Sequence, residues 1–371
     1  MSRVVQVANF VTPTSGGLRT ALASLAAGYA AAGHEVVQVV PGPRAATEDT
    51  PWGRRVQLPG VPLPGTGYRL LRPAPVLAAL ADLAPDRVEL HDRTTLRAVA
   101  GWSRDRGVPA LVVSHERLDR WLRQWLPAAP GVPRAADRLA DRANAALAAA
   151  GRVVCTTDWA AEEYRRVGAP VTVVPLGVDL GTFTPARADA GHRRDGGVLL
   201  VTATRLSREK RPDLAVAATA ELARRGLPVR LLVAGDGPAR RALARRAAGS
   251  PVTLLGHVPG RAALAGLLGA ADVVLAPGPV ETFGLAALEA LACGTPVVVS
   301  ADSALPSVAG PAGTAAAGTA AALADAVEAL LAEDPGVRRE RARRRAERFP
   351  WTATVAGFLA AHGLAARERA A

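Results

Sequence analysis

The chain reads as an α/β protein built from two doubly wound domains, each with a parallel sheet between helices. Three observations predict this. Its 371 residues exceed what a single hydrophobic core usually serves. Short apolar runs of strand character alternate with segments of helical period along the whole chain. The alternation also pauses and restarts after Pro185, as expected for a second domain on the same plan.

In the first half, Val4 to Ala8 (VVQVA) has the continuous apolar character of a buried parallel strand. A loop with Gly16 and Gly17 follows, then Leu18, Leu22, Leu25 and Tyr29 at helical spacing. Gly33-His34 closes that helix and Glu35 to Val40 (EVVQVV) is the next strand, which completes a βαβ unit. Arg87–Leu90, Ala110–Ser114, Arg152–Thr156 and Val171–Val174 are expected strands between helices. The Pro-rich stretch from Pro41 to Pro75 is expected to be mostly loop, with one short strand near Arg55 to Leu58.

After VPLGVDLGTFTP (Val174–Pro185), the polar segment Ala186–Gly197 is taken as the interdomain crossing. Strands of the second half are expected at Val198–Thr202, Val229–Ala234, Val252–Leu255, Asp272–Ala276 and Pro296–Ser300. WTATVAGFLAAHGLA, beyond Pro350, reads as a terminal helix that could cross back to the first domain. The expected domains are 1–178 and 179–349, with the terminal helix over 350–371. Open α/β sheets bind ligands at the carboxyl ends of their strands, so two such domains are expected to present those ends to one cleft.

Composition narrows the function classes. The start, MSRVVQVANF, lacks the pattern of a signal peptide. The most apolar stretch, Gly313–Leu331, is alanine-rich and broken by Asp325 and Glu328, so it reads as a helix of a soluble protein. A cytoplasmic location is expected. Cys155 and Cys293 lie far apart with no CxxC spacing, which argues against a metal site and a disulfide framework. The net charge of +12 comes from arginines scattered along the chain, and aromatic residues are only 4%, so nucleic-acid binding is not expected. Lys210 is the single lysine among 45 basic residues. Where arginine is the habit, a retained lysine points to a site that wants a compact charge on a flexible stem.

The densest signal is ETFGLAALEALACGTPVVV, Glu281 to Val299. Glu281 lies in a loop after a strand, Gly284 lets backbone approach a ligand, and the helix from Leu285 offers unpaired N–H groups to a phosphate. Glu289 follows further along that helix. Alone, either glutamate is more often a solvated or capping carboxylate; the whole string reverses those odds. In RLSREKRPD, Arg205 and Lys210 sit on the loop after the first strand of the second half, where two cations can neutralise a diphosphate. Arg208 and Arg211 read as surface charges. His91 and His115 each follow a strand of the first half, so either could face a site. Gly235-Asp236-Gly237-Pro238 reads as a structural turn.

These strings together resemble the retaining GT-B glycosyltransferases of family 4, whose hallmark is the E-x7-E motif. The resemblance runs nearly end to end. It is strongest to actinobacterial phosphatidylinositol-mannoside-type mannosyltransferases, through VVQVANF, SGGLRTA, SHERLDR, VPLGVDL, RLSREKRPD and APGPVETFGLAALEALACGTPVVVS. It implies a GT-B fold of two Rossmann-like domains and transfer of a hexose, mannose from GDP-mannose as the first expectation, to a lipid-linked or small-molecule hydroxyl. Glu281 would contact the donor sugar and Glu289 the ribose. The backbone of Phe283, Gly284 and Leu285 would meet the sugar and diphosphate, and that of Gly256 and Val258 would border the base. Gly16 and Gly17 would approach the donor from the first domain. His115 matches the family's active-site histidine, with Glu116 and Arg117 beside it on the acceptor side and His91 as a further candidate. Thr204 stands where the family has glycine before the arginine.

No D-x-D pair occurs, so the usual carboxylate site for a metal-nucleotide complex is missing; Arg205, Lys210 and helix dipoles are expected to act instead. No metal or other cofactor is expected, and the nucleotide sugar is a substrate. Other readings are a UDP-sugar-dependent enzyme acting on a soluble acceptor and, outside enzymes, a nucleotide-sugar-binding protein without catalysis. Finally, RLDRWLRQWL (117–126) places Leu118, Trp121, Leu122 and Trp125 on one helical face, with Arg117, Arg120 and Arg123 nearby. Such a helix packs its tryptophans on its own domain, the commoner case, or, lying beside His115, contacts an anionic membrane.

Overall fold

The computed structural model describes residues 1–12, 16–64, 66–125, 131–193 and 197–364. The chain forms two compact units, Met1–Leu176 with Trp351–Ala371, and Gly177–Pro350.

The first unit runs β1 (Arg3–Val7), α1 (Gly17–Ala31), β2 (Glu35–Gly42), β3 (Ala46–Thr50), β4 (Gly53–Pro59), β5 (Val61–Pro62), β6 (Arg69–Leu70), α2 (Pro73–Leu83), β7 (Arg87–Leu90) and α3 (Ala98–Asp105). It continues with β8 (Ala110–Ser114), α4 (Leu118–Trp125), α5 (Val132–Ala148), β9 (Arg152–Cys155), α6 (Asp158–Arg165) and β10 (Val171–Val173). The sheet has the order β10-β9-β8-β7-β1-β2-β4-β3. All its pairings are parallel except β3 with β4. Strand order reverses at β1, which lies between β2 and β7, so the carboxyl ends of β1 and β7 mark the switch point where such sheets bind ligands. One face buries Val5, Val7, Val88 and Leu90 under α2 and α3; the other buries Val4, Val36 and Val113 against Leu25, Tyr29, Phe358 and Leu359. Phe358 and Leu359 belong to α14 (Trp351–His362), which packs on α1 within this unit.

The stretch from Pro41 to Pro75 departs from the loop expected of it. β3 and β4 form a hairpin on the sheet edge, and α2 begins at Pro73. β3 reads ATEDT and is largely exposed, so no apolar alternation betrays it. Opposed charges hold it in register instead: Glu48 faces Arg55 and the two are 2.5 Å apart.

The second unit contains β11 (Val198–Ala203), α7 (Pro212–Arg224), β12 (Val229–Ala234), α8 (Arg240–Ala247), β13 (Val252–Gly256), α9 (Arg261–Ala270) and β14 (Val273–Ala276). Then come α10 (Leu285–Ala292), β15 (Val297–Ser300), α11 (Leu305–Ala309), β16 (Gly313–Ala316), α12 (Ala320–Leu331) and α13 (Pro335–Ala346). Its six strands are all parallel, in the order β13-β12-β11-β14-β15-β16. The alanine-rich Gly313–Leu331 is thus a short edge strand followed by a helix, not one helix. The expected crossing at Ala186–Gly197 is also corrected. Its described part is docked on α9, with the Asp189 N–H donating to Gly266 O at 3.1 Å and Arg193 Nε to Ala270 O at 3.1 Å. The division between units falls after Leu176 instead. Among the described residues, no helix is long and apolar enough to cross a membrane.

Candidate active site

In the second unit, the residues expected to hold a donor lie at the carboxyl ends of β11, β13 and β14 and on the helix α10 that follows β14. Lys210 ends a single 3-10 turn before α7, and Glu281 sits in the loop between β14 and α10. Lys210 Nζ lies 2.6 Å from Glu281 Oε1, with both side chains about three-quarters buried. Arg205 pairs with Glu209, which also accepts from Ser207 Oγ at 2.6 Å. Burial works to raise the Glu209 carboxyl, but the Ser207 hydroxyl, Arg205 and Lys210 outweigh it and hold the group ionised below its usual range.

Gly284 caps α10 in the left-handed region at φ 76°, and a Cβ there would lie 2.3 Å from Leu305. The left-handed backbone favours glycine there, and Phe283 and Leu285 on either side of it are both buried. A second constraint supports Arg205. A Cβ on Gly235 would stand 1.9 Å from the carbonyl oxygen of Thr204, so the Gly235–Pro238 turn packs directly under the Arg205 loop. Thr204 is accommodated there, its N–H donating to Ala234 O at 3.0 Å.

Glu289 lies half-buried one helical turn further along α10, near Arg261 and Asp179, which are themselves paired at 3.3 Å. Burial, reinforced by Asp179 and opposed by Arg261, pushes its carboxyl up to about 7. Gly256 is buried at the end of β13 and accepts the Gly235 N–H at 2.7 Å, while Val258 is half-buried and the neighbouring His257 exposed.

In the first unit, His91 follows β7 and His115 follows β8. Their rings stack 5.1 Å apart, with His91 Nδ1 at 2.8 Å from His115 Nε2. Burial, helped by His91 and Arg93 against the pull of Glu89, lowers His115 to about 3, so it is neutral at physiological pH. Gly16 and Gly17 are exposed at the start of α1; residues 13–15 of that loop lie outside the described residues.

The acceptor-side expectations divide. Glu116 is part-exposed beside Arg93 at 3.6 Å, and burial raises its carboxyl. Arg117, expected to reach an acceptor or headgroup, is instead 4% exposed. It is bonded to Asp119 at 2.7 Å and to Glu162, and lies over the Trp159 ring. Partners more than forty residues away take this arginine into the fold. Trp121 is exposed on α4; the side chain of Trp125 and all of Leu126 lie outside the described residues.

Sequence reasoning missed three groups. Glu89 is fully buried under His91. Arg93 is buried on Glu163, Tyr164 and Asn144 and donates to Glu116 O at 2.6 Å, tying the loop after β7 to the loop after β8. Phe10, just past β1 at the switch point, takes a left-handed φ of 59° and sets its ring edge-on to Tyr68. Glu89 had one visible signal, a carboxylate inside an apolar strand.

Comparison with known proteins identifies the family. The model for "Glycosyltransferase Family 4" matches residues 15–182 and that for "Glycosyl transferases group 1" matches residues 186–349. The chain is 49% identical, over 97% of its length and 96% of the other's, to the GDP-mannose-dependent alpha-(1-6)-phosphatidylinositol dimannoside mannosyltransferase of Mycobacterium tuberculosis. It is 34% identical to the D-inositol 3-phosphate glycosyltransferase of Actinosynnema mirum, over 98% of this chain and 88% of that one. Among solved structures, the fold matches the sucrose-phosphate synthase of Thermosynechococcus elongatus with a TM-score of 0.79 at 24% identity, covering 96% and 97% of the two chains. It also matches an α,α-trehalose-phosphate synthase of Burkholderia vietnamiensis with a TM-score of 0.76 at 18% identity, covering 99% and 98%. With two parallel doubly wound sheets, the E-x7-E glutamates on α10 and its preceding loop, and a relative matched over nearly its whole length, the chain belongs to the family 4 glycosyltransferases of GT-B fold.

Proposed function

We propose that the protein transfers mannose from GDP-mannose to a phosphatidylinositol-mannoside-type lipid, with retention at the anomeric carbon and without a metal ion, at the cytoplasmic face of the membrane. The observation that carries the transfer reading is the Lys210–Glu281 pair beside the start of α10. A diphosphate arriving there meets Lys210 and Arg205 as counter-charges and the helix N-terminus as a donor of N–H groups. Glu281, released from Lys210, then hydrogen-bonds sugar hydroxyls, and Glu289 holds the ribose. The backbone of Phe283, Gly284 and Leu285 lines the sugar and diphosphate, and Gly256 and Val258 border the base.

In this reading the C1–oxygen bond to the diphosphate breaks while the acceptor hydroxyl attacks from the same face. The departing phosphate takes the hydroxyl proton, so no enzyme nucleophile is needed, unlike in retaining glycosidases. The reading also assigns His115, Gly16 and Gly17 to the transfer. The donor and lipid assignment is supported by the 49% identity to a protein named for both.

The test is a thermal-shift panel of GDP, UDP and ADP sugars, followed by transfer assays with GDP-mannose and phosphatidylinositol mannosides in EDTA. GDP-mannose should raise the melting temperature most, because a ligand that binds the folded state stabilises it, and the product should be α-linked. Loss of transfer in EDTA with rescue by magnesium would overturn the metal-free mechanism. The 34% identity to an inositol 3-phosphate glycosyltransferase favours a second reading, a soluble phosphorylated acceptor; transfer to such an acceptor and not to lipid would select it.

A further inference from the structure

One face of α13 carries an excess of positive charge. Arg341, Arg344 and, just past the helix, Arg348 recur at helical spacing. With Arg345, Glu340 and Pro311 they line a cleft of about 370 Å³ where α13 meets the Gly310–Ala312 turn, enough for a compact phosphorylated ligand. Two of the four guanidiniums are balanced, because Arg344 pairs with Glu340 at 2.5 Å and Arg341 with Glu333. Among the described residues, Arg345 and Arg348 have no carboxylate within ion-pair distance.

Arg345 is held in place without being neutralised. Its Nε donates to Val308 O at 2.8 Å and its Nη2 to Ser307 O at 2.5 Å, both near the carboxyl end of α11. Gly310, at a left-handed φ of 52°, leaves room for the guanidinium, since a Cβ there would stand 3.0 Å from Nε. The carbonyl dipoles fix its direction but cancel no charge, and Nη1 has no hydrogen-bond partner among the described residues. Burial and the like charge of Arg348 pull this guanidinium below its usual range. Arg341 Nε is a second donor left over, buried without a partner among the described residues.

We propose that this cleft is an effector site for a phosphomonoester, held by Arg345 and Arg348. Two uncompensated guanidiniums match the charge of about −1.5 to −2 that such a phosphate carries at neutral pH, and its oxygens accept their planar pairs of N–H groups. A single carboxylate would leave one cation unbalanced. The cleft also backs onto the donor loop of the same unit. Ala304, ahead of α11, donates its N–H to Glu281 O at 2.9 Å, and Leu305 fills the space beside Gly284. Arg345 lies 4.9 Å from the centre of the Phe349 ring, which meets Phe283 edge-on at 6.1 Å. A ligand that fixes Arg345 therefore steadies the loop from Glu281 to Gly284 from two sides, so effector and donor should each tighten the binding of the other.

The site stands apart from the proposed transfer reading; only its coupling to the donor rests on that reading. Inorganic phosphate, titrated by calorimetry into the full-length protein saturated with GDP, should bind at one site, and acetate at equal ionic strength should bind about tenfold more weakly or less. Arg348→Gln removes a cation with no bonded partner, so it should keep the wild-type melting temperature and weaken phosphate about tenfold, as loss of a charged hydrogen bond does. Absence of phosphate binding in the GDP-saturated wild type, acetate binding as tight as phosphate, or equal phosphate binding by folded Arg348→Gln overturns the site. GDP should bind about fivefold tighter in saturating phosphate, and this gain should vanish in Arg348→Gln; an equal GDP affinity with and without phosphate overturns the coupling. If GDP does not bind at all, the transfer reading fails alone, and the comparison with Arg348→Gln still decides the site. Vesicles of phosphatidylcholine with phosphatidic acid separate the two sources of such a phosphate. Weaker co-sedimentation of Arg348→Gln marks a lipid headgroup as the ligand, whereas unchanged co-sedimentation with lost phosphate binding marks a soluble one.

Discussion

Lys210 Nζ and Glu281 Oε1 meet at 2.6 Å although 71 positions separate them in the chain. The contact joins the only lysine of the sequence to the first glutamate of the E-x7-E string, through a loop that also brings Gly278 within 3.3 Å of the Lys210 Cα once a Cβ is built on it. With each side chain retaining a fifth to a quarter of its exposure, the pair adds little to stability and remains open to exchange with an incoming anion.

Lys210→Ala should therefore leave the fold intact and slow transfer. Loss of one preorganised counter-charge on a leaving group raises a barrier by about 2–4 kcal/mol, as for removal of an oxyanion-type donor. Single-turnover rates together with a melting curve check this. Near-normal turnover would take Lys210 out of the mechanism.

Glu289 makes donor binding pH-dependent. Its carboxyl holds a proton up to about pH 7 in the folded chain. Ribose hydroxyls that donate to it favour the ionised form, so binding expels that proton. Affinity for GDP should then tighten as the pH rises from 6 to 8, by about tenfold if binding returns the group to its ordinary range. The free fold has the opposite slope from this group: its raised value contributes stability below the usual carboxylate range that is lost as the pH rises towards 7. Calorimetry in buffers of different ionisation heat should detect proton release, and Glu289→Gln should abolish both the release and the slope. A flat affinity profile in the wild type would place the ribose elsewhere.

Arg93 governs stability. Its side chain and that of Glu163 are 1% and 0% exposed, and Asn144, Tyr164 and the Glu116 carbonyl also accept from its two terminal nitrogens. Glu163→Gln should destabilise the first unit by about 3–5 kcal/mol, because it strands a buried cation. Arg93→Ala should do the same and also loosen the loops carrying His91 and His115. Urea unfolding followed at the tryptophans tests this; a loss under about 1 kcal/mol would mean that water or another partner satisfies the remaining charge.

Much of this site was readable because the chemistry is local in sequence. Glu281, Gly284, Leu285 and Glu289 lie on one loop and the helix that follows it. Lys210 stood out by composition. The buried charges were not readable, since Arg117 looks like one more arginine until Glu162 and Trp159 arrive from α6. Glu89 depends on α1 for Tyr29 and on α14 for His362, a partner 273 positions away. β3 was hidden for the complementary reason, being an exposed edge strand whose partners are charges and not an apolar face.

The burial of Arg117 also moves the proposed membrane surface. Trp121 on α4 is 45% exposed and Leu139 on α5 is 56% exposed. The two helices are in contact, and Arg123 of α4 pairs with Asp137 of α5 at 2.6 Å. Arg134, Arg138 and Arg142 recur every fourth residue on α5 and are all exposed, so they form one basic stripe along that helix. Each basic residue near an anionic bilayer contributes about 1 kcal/mol, so this stripe with Trp121 and Leu139 supports reversible docking that salt should weaken. Wild-type protein should co-sediment with phosphatidylserine vesicles at low salt and be released at high salt, while neutral vesicles should leave it in solution. Replacing Arg134, Arg138 and Arg142 by Glu should abolish binding, and Trp121→Ala with Leu139→Ala should reduce it. Arg117→Ala should instead lower the melting temperature, because it leaves buried Asp119 without its bidentate partner. Equal vesicle binding by the triple variant would rule out the α5 stripe as the lipid contact.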